Sequence, residues 1–287
     1  MFTAFLAILR FFRPRETVDW PDPSAPGRIA TISGVGVHYT DQGSGPAVVL
    51  VHGFGAHAYT FRHIASDLSR DHRVVALDMK GFGYSERPRR GDYSLSAQAR
   101  LVLGLMDVLG IERASLIGHS LGGEVVMRAA SMAQARVERL VLAASVSGDR
   151  VPTLPVLPIV KPLISLFGRL FARRFFRRMF YDSTLATEET LDAYRAPARI
   201  RGTAHAVYQL LRDSRREKAV DSSRIRQPVL VLWASHERIL PRWTLGRLRK
   251  RFPRAEVVSI GRAGHVLLEE RPQESLAAIR PFLRASP

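Results

Sequence analysis

The sequence predicts an α/β fold: a mostly parallel, doubly wound sheet of about eight strands with helices on both faces. Three observations lead there. Short apolar runs of about five residues recur along the chain and alternate with longer amphipathic stretches, which is the pattern of βα units. Runs such as Ala47-Val48-Val49-Leu50-Val51 contain no polar residue, as expected of a central strand covered on both faces. Finally, the run Ala114 to Ile117 leads directly into Gly118-His119-Ser120-Leu121-Gly122 and a helix-compatible stretch, Glu124 to Met132. A strand that turns into a helix around one serine forces that serine into strained torsions and leaves no room for a Cβ at its flanks. Its hydroxyl would stand at the end of the sheet.

In order, Trp20 to Gly27 holds three prolines and reads as a linker. Arg28 to Ile32 and Val35 to Tyr39 flank a Ser33-Gly34 turn and form a hairpin. Ala47 to Val51 is the next strand, ending in His52-Gly53-Phe54-Gly55. A helix from about Tyr59 to Ser69 leads to a strand at Arg73 to Leu77, and a helix from about Ser94 to Leu109 leads to the serine-bearing strand. Arg139 to Ala144 is the sixth strand. Val151 to about Ser222 then breaks the alternation: Pro152, Pro155, Pro158 and Pro162 give way to helical patterning with no strand-like run. The series resumes with a strand at Val229 to Trp233, a helix at Pro241 to Arg251, a strand at Glu256 to Ile260 and a last helix from Pro272 to Arg284. The expected division is therefore an N-terminal apolar and basic segment with its linker (1–27), a core made of 28–148 and 223–287, and a helical cap, or lid, at 149–222 inserted after strand 6.

The composition fits a soluble globular domain, with 46% apolar and 24% charged residues among 287. There are no cysteines, which excludes disulfides, thiolate catalysis and cysteine zinc sites. The net charge of +17 comes from arginine, because Lys80, Lys161, Lys218 and Lys250 are the only lysines. Most arginines are scattered, and no helix-turn-helix or basic strand interleaved with aromatics is visible, so no nucleic-acid partner is expected.

Catalytic groups of open parallel sheets gather at the carboxyl ends of the strands. Three polar residues leave such ends late enough in the chain to partner Ser120. His265, in Gly261-Arg262-Ala263-Gly264-His265, is the candidate general base and later general acid. Glu237 follows the seventh strand, where its carboxylate could accept the other imidazole N–H. Asp149, after the sixth strand, is the alternative acid. Asp78 more simply ties down its own loop, and His52 makes structural hydrogen bonds in its own. His119 should point away from the nucleophile, and His57, His63, His72 and His205 carry no positional argument. The backbone N–H groups of Phe54 and Leu121 would form the oxyanion hole, with Leu121 aided by the start of its helix.

Five motifs occur in order along the chain: His52-Gly53-Phe54-Gly55, Asp78-x-x-Gly81-x-Gly83-x-Ser85, Gly118-His119-Ser120-Leu121-Gly122-Gly123, the segment Leu232-Trp233 to Leu240-Pro241, and Ala263-Gly264-His265. Together they make the chain resemble an α/β-hydrolase-fold serine hydrolase, in the esterase- and lipase-like branch with a helical cap between strands six and seven. The resemblance implies a triad of Ser120, Glu237 and His265, no cofactor and no metal. It departs from the family's pattern where Glu237 replaces the usual aspartate and Ala234 the glycine before it. A serine at the elbow also separates the chain from similar epoxide hydrolases and haloalkane dehalogenases, which use an aspartate there.

The expected activity is hydrolysis of carboxylic esters, lipid-like or of medium to long acyl chain, through an acyl-enzyme on Ser120. The same triad would also suit a thioesterase, an acyltransferase, a C–C bond hydrolase or a cofactor-free haloperoxidase, and a non-catalytic binding protein is a further alternative. Residues 162–180 carry an apolar stripe (Leu163, Leu166, Phe167, Leu170, Phe171) opposite Arg169, Arg173, Arg174, Arg177 and Arg178. Residues 2–15 pair an apolar run, about half the length of a membrane span, with Arg13 and Arg15. Both fit peripheral contact with an anionic membrane by a protein of the cytoplasm.

Overall fold

The computed structural model describes residues 16–149, 176–215 and 217–284. Eight strands form one sheet: β1 (Arg28–Ile32), β2 (Val35–Gln42), β3 (Ala47–Val51), β4 (Arg73–Leu77), β5 (Ala114–His119), β6 (Val137–Ala143), β7 (Val229–Ala234) and β8 (Glu256–Ile260). Their spatial order is β1-β2-β4-β3-β5-β6-β7-β8. β2 runs antiparallel to both β1 and β4, and every other neighbouring pair is parallel. The α/β-hydrolase fold expected from the sequence is the fold observed, with helical segments between β6 and β7.

The apolar strands explain the two-sided core. In β3, Val49 and Val51 face one side, with the helices α2 (Leu95–Val108) and α3 (Leu121–Met132). Val48 and Leu50 face the other, with α1 (Arg62–Leu68) and the C-terminal helix Pro272–Arg284. Alternate residues of one run thus feed two separate cores, each fully buried side chain contributing roughly 1.5–3 kcal/mol. Chain order reverses between β3 and β5: β4 lies on one side of β3 and β5 on the other. The loops after β3 and β5 therefore open a crevice at the carboxyl edge, the place where such sheets bind ligands.

Between β6 and β7 the described residues fold into α4 (Glu188–Arg195) and α5 (Thr203–Ser214), joined by short 3-10 turns. Phe176, Phe180, Leu191 and Tyr194 make a small core beneath this segment, closed from below by Val266. Arg177 and Arg178 face solvent beside buried Phe176 and Phe180, the expected division of the basic stripe at its C-terminal end. Residues 162–175 and 1–15 lie outside the described residues.

One difference from the sequence reading concerns the N-terminal connection. The linker expected at Trp20 to Gly27 is preceded by a strap. The Glu16 carboxylate accepts the N–H groups of Gly202 and Ala204, each at 2.8 Å, at the start of α5. Val18 bridges to Ile200, and the Trp20 indole N–H donates to the Tyr84 carbonyl at 2.9 Å. The strap ties the helical segment to the core, and sequence patterning carries no signal for it because its partners are backbone groups 64 to 188 residues away.

Candidate active site

Ser120 sits between the end of β5 and the first residue of α3 with φ 54° and ψ −116°, a region few side chains occupy. Such a residue costs of order 1–3 kcal/mol and persists only when its surroundings fix it. Here they do: its N–H donates to Ala143 O at 3.0 Å, and its carbonyl accepts from the N–H of Gly123 and of Val146. The flanking glycines permit the turn. A Cβ on Gly122 would lie 2.1 Å from the Val51 carbonyl oxygen, and one on Gly118 would lie 2.5 Å from the Gly122 oxygen.

His265 arrives on the loop after β8. Its Nε2 is 3.0 Å from Ser120 Oγ, and its Nδ1 is 2.8 Å from Glu237 Oε2. Glu237 comes from the loop after β7, and its Oε1 accepts the N–H groups of Ile239 and Leu240 at 2.7 and 3.0 Å. Burial would raise the Glu237 pKa, but the attraction and hydrogen bond of His265 and the two N–H donors outweigh it and hold the carboxyl below its ordinary value. An ionised carboxylate only accepts, so His265 donates through Nδ1–H, and in the neutral ring Nε2 is then the acceptor that faces the serine. Serine, imidazole and carboxylate are thus brought into series. Asp149 is not: it accepts from Arg247 and Arg251, at 3.1 and 3.0 Å, and from Ser147.

Leu121 opens α3 directly after Ser120, so its N–H has no acceptor within the helix. Phe54 lies on the loop after β3, in the wall of the same crevice. That loop is braced by His52, whose Nε2 accepts the Met79 N–H at 2.9 Å while Nδ1–H donates to Gly53 O at 2.7 Å. Asp78 holds the neighbouring loop, accepting from His38 Nδ1 and from the N–H groups of Ala58 and Tyr84. Both residues do the structural work the sequence assigned to them.

His119 departs from expectation. Its ring does not turn away; it packs on the His265 ring, centroids 5.0 Å apart, and Nε2–H donates to the His265 carbonyl at 2.9 Å. Burial first, then the His265 neighbour, push its pKa down to about 3, so it is neutral.

The crevice above Ser120 encloses about 600 Å³ of empty space, its mouth included. Among the described residues its wall is formed by Gly53, Phe54, Gly55, Ala56, Phe176, Met179, Tyr194, Ile239 and Val266, with Thr60, His119, Ser120 and His265. Thr60 Oγ1 and Tyr194 OH both donate to buried Glu269 and so turn their polar atoms out of the cavity. Glu269, Glu270, Tyr194 and Met179 were not singled out as site residues from the sequence. The available signal was two acids placed directly after the apolar run Val266-Leu267-Leu268, a charged pair where a buried helix was due.

Fold and geometry together define a hydrolase with a serine, an imidazole and a carboxylate at the carboxyl edge of an open α/β sheet. The chain belongs to the alpha/beta hydrolase fold family, whose model matches residues 46–272. It is 30% identical over 277 residues to the uncharacterized hydrolase YugF of Bacillus subtilis, covering 91% of this chain and 98% of that one. It is 29% identical over 279 residues to a 2-hydroxy-6-oxo-2,4-heptadienoate hydrolase of Pseudomonas putida, covering 90% and 96%. Among solved structures it resembles the epoxide hydrolase CorEH, with a TM-score of 0.79 and 25% identity, covering 89% of this chain and 97% of that one. Among the described residues no helix is long and apolar enough to cross a membrane, and no group of histidine and carboxylate side chains is arranged to hold a metal ion.

Proposed function

We propose that the chain hydrolyses carboxylic esters with an apolar acyl group, through an acyl-enzyme on Ser120. The observation that carries the reading is the cavity itself: its wall is mostly apolar, the hydroxyls of Thr60 and Tyr194 are committed to Glu269, and the remaining polar side chains lining it are Ser120, His265 and the neutral His119. Ser120 Oγ attacks the ester carbonyl as its proton passes to His265 Nε2, and Glu237 stabilises the imidazolium. The N–H groups of Leu121 and Phe54 receive the oxyanion. Collapse of the tetrahedral intermediate expels the alcohol, which takes the proton from His265. A water, deprotonated by His265, then attacks the acyl-enzyme and releases the acid. Residues 149–222 serve as the cap over this cavity.

A fluorophosphonate probe should label the wild type and leave Ser120→Ala unlabelled; equal labelling of both would refute the assignment. A panel of p-nitrophenyl esters of rising chain length then reads the acyl preference.

A second reading is hydrolysis of a C–C bond by the same residues, favoured by the 29% identity to the 2-hydroxy-6-oxo-2,4-heptadienoate hydrolase. A dienoate carries a carboxylate, and no lysine or arginine stands among the described wall residues to receive it. Turnover of such a dienoate with no ester turnover would make this the better reading.

The protein further meets an anionic membrane peripherally through 2–15 and 162–180, from the cytoplasmic side. Flotation with acidic liposomes checks this contact, and removal of residues 1–15 should weaken it.

A further inference from the structure

The helix α7 (Leu267–Glu270, numbered after α6 at Trp243–Arg251) begins two residues beyond His265 and ends in two buried acids that the catalytic scheme does not use. Glu269 takes Thr60, Arg62 and Tyr194. Glu270 is more unusual: it is 5% exposed, and among the described residues its partners are three backbone N–H groups from two separate segments. Oε2 accepts from Gly264 at 2.7 Å and from Tyr181 at 3.0 Å, while Oε1 accepts from Asp182 at 2.6 Å. Gly264 is the residue before His265. Tyr181 and Asp182 lie two to six residues after Met179 and Phe176, which wall the cavity.

The two segments also touch sterically. A Cβ on Gly264 would lie 2.3 Å from the Met179 carbonyl oxygen and 2.6 Å from the Tyr181 nitrogen. The cap backbone therefore rests directly on the histidine loop, and one carboxylate stitches them together.

We propose that Glu270 is a positioning residue that makes the seating of the cap and the placement of His265 a single event. One oxygen holds both segments, so lifting 179–182 removes a donor from the group that fixes Gly264. The base then meets Ser120 only while Phe176 and Met179 are also in place as the cavity wall. Misplacing a catalytic group by about 1 Å can cost on the order of 100-fold in rate. The inference rests on the reading of Ser120 as nucleophile and His265 as base.

The test compares the full-length wild type with Glu270→Gln. The amide keeps the shape but loses the charge, and its NH₂ end is set against backbone N–H: against Asp182 when the carbonyl takes the place of Oε2, against Gly264 and Tyr181 when it takes that of Oε1, so either orientation loosens the clamp. Two fluorophosphonates, one with a short and one with a long alkyl chain, give labelling rates that depend on His265 and on the wall without requiring the true substrate. The expected result is labelling slowed roughly 10- to 100-fold, with a changed long-to-short ratio. A purely structural acid would lower Tm and leave both the rate and the ratio of the folded protein unchanged. Gly264→Ala attacks the same junction from the other side and should reproduce the phenotype, and the double variant should be no worse than the worse single. A folded Glu270→Gln, or should that not fold a folded Gly264→Ala, that labels at the wild-type rate and ratio overturns the proposal. A wild type that is never labelled overturns the nucleophile reading, and this inference with it.

Discussion

Glu237→Gln is the substitution whose outcome the geometry constrains most. In the wild type one carboxylate oxygen accepts from His265 Nδ1 at 2.8 Å, while the other accepts two backbone N–H groups at 2.7 and 3.0 Å. A glutamine has one acceptor end and one donor end. Turning the amide NH₂ toward Ile239 and Leu240 would set donors against two backbone donors, so the carbonyl oxygen must stay there. The NH₂ then faces His265 Nδ1, which has to become an acceptor. That moves the imidazole proton to Nε2, where it confronts the Ser120 hydroxyl and can no longer take its proton. The wrong tautomer in a serine triad costs about 10⁴-fold in kcat, or roughly 5 kcal/mol of barrier. Single-turnover acylation by a p-nitrophenyl ester, followed from pH 6 to 10, measures this directly. Retention of activity within tenfold of the wild type, with an unchanged Tm, would refute the tautomer argument and with it the role given to Glu237.

Three further outcomes follow from the same structure. Ser120→Gly removes the nucleophile but relieves its left-handed torsion, so the inactive variant should be more stable than the wild type by about 1 kcal/mol in urea unfolding. Gly122→Ala places a methyl 2.1 Å from the Val51 carbonyl and should lower stability by roughly 3 kcal/mol or more, read as Tm or loss of soluble expression. Asp78 is fully buried. Burial would raise its pKa, but its hydrogen bond and attraction to His38 hold it far below the ordinary value of 3.8. Its contribution is therefore complete above pH 3.8 and is lost as pH falls through the depressed folded value. Asp78→Asn, which leaves His38 and two N–H donors poorly met, should cost about 3–5 kcal/mol near neutral pH and flatten the acid limb of the stability curve.

Much of the scaffold was legible because strands covered on both faces announce themselves. β3 and β4 have the bounds that the runs Ala47 to Val51 and Arg73 to Leu77 predict, and so does the partly exposed edge strand β8 at Glu256 to Ile260, by its β-branched residues. Ser120, His265 and Glu237 were legible as neighbours because each leaves the carboxyl end of a strand. The start of α3 at Leu121 was legible from the turn around Ser120, although Gly122 and Gly123 are poor helix formers. They stand there because a Cβ would strike Val51 and Ser145. α7 is too short to show a period, and apart from Gly264 the partners of Glu269 and Glu270 lie 75 to 209 positions away. The ring of His119 was misjudged because its direction depends on where the His265 loop passes over it, which no local pattern encodes.

The order of strands across the sheet has a consequence for how the enzyme comes into being. From β5 onward each new strand is added beside the last, β5-β6-β7-β8, so synthesis from the N-terminus can extend an existing edge without threading. Ser120 emerges early, its proposed acid partner more than a hundred residues later, and its base 145 positions after it. A growing chain therefore displays the serine long before anything can activate it. Full reactivity appears only when the outermost strand has docked and the loop beyond it has closed over the sheet. Both partners have to be made and folded before the proposed triad can act.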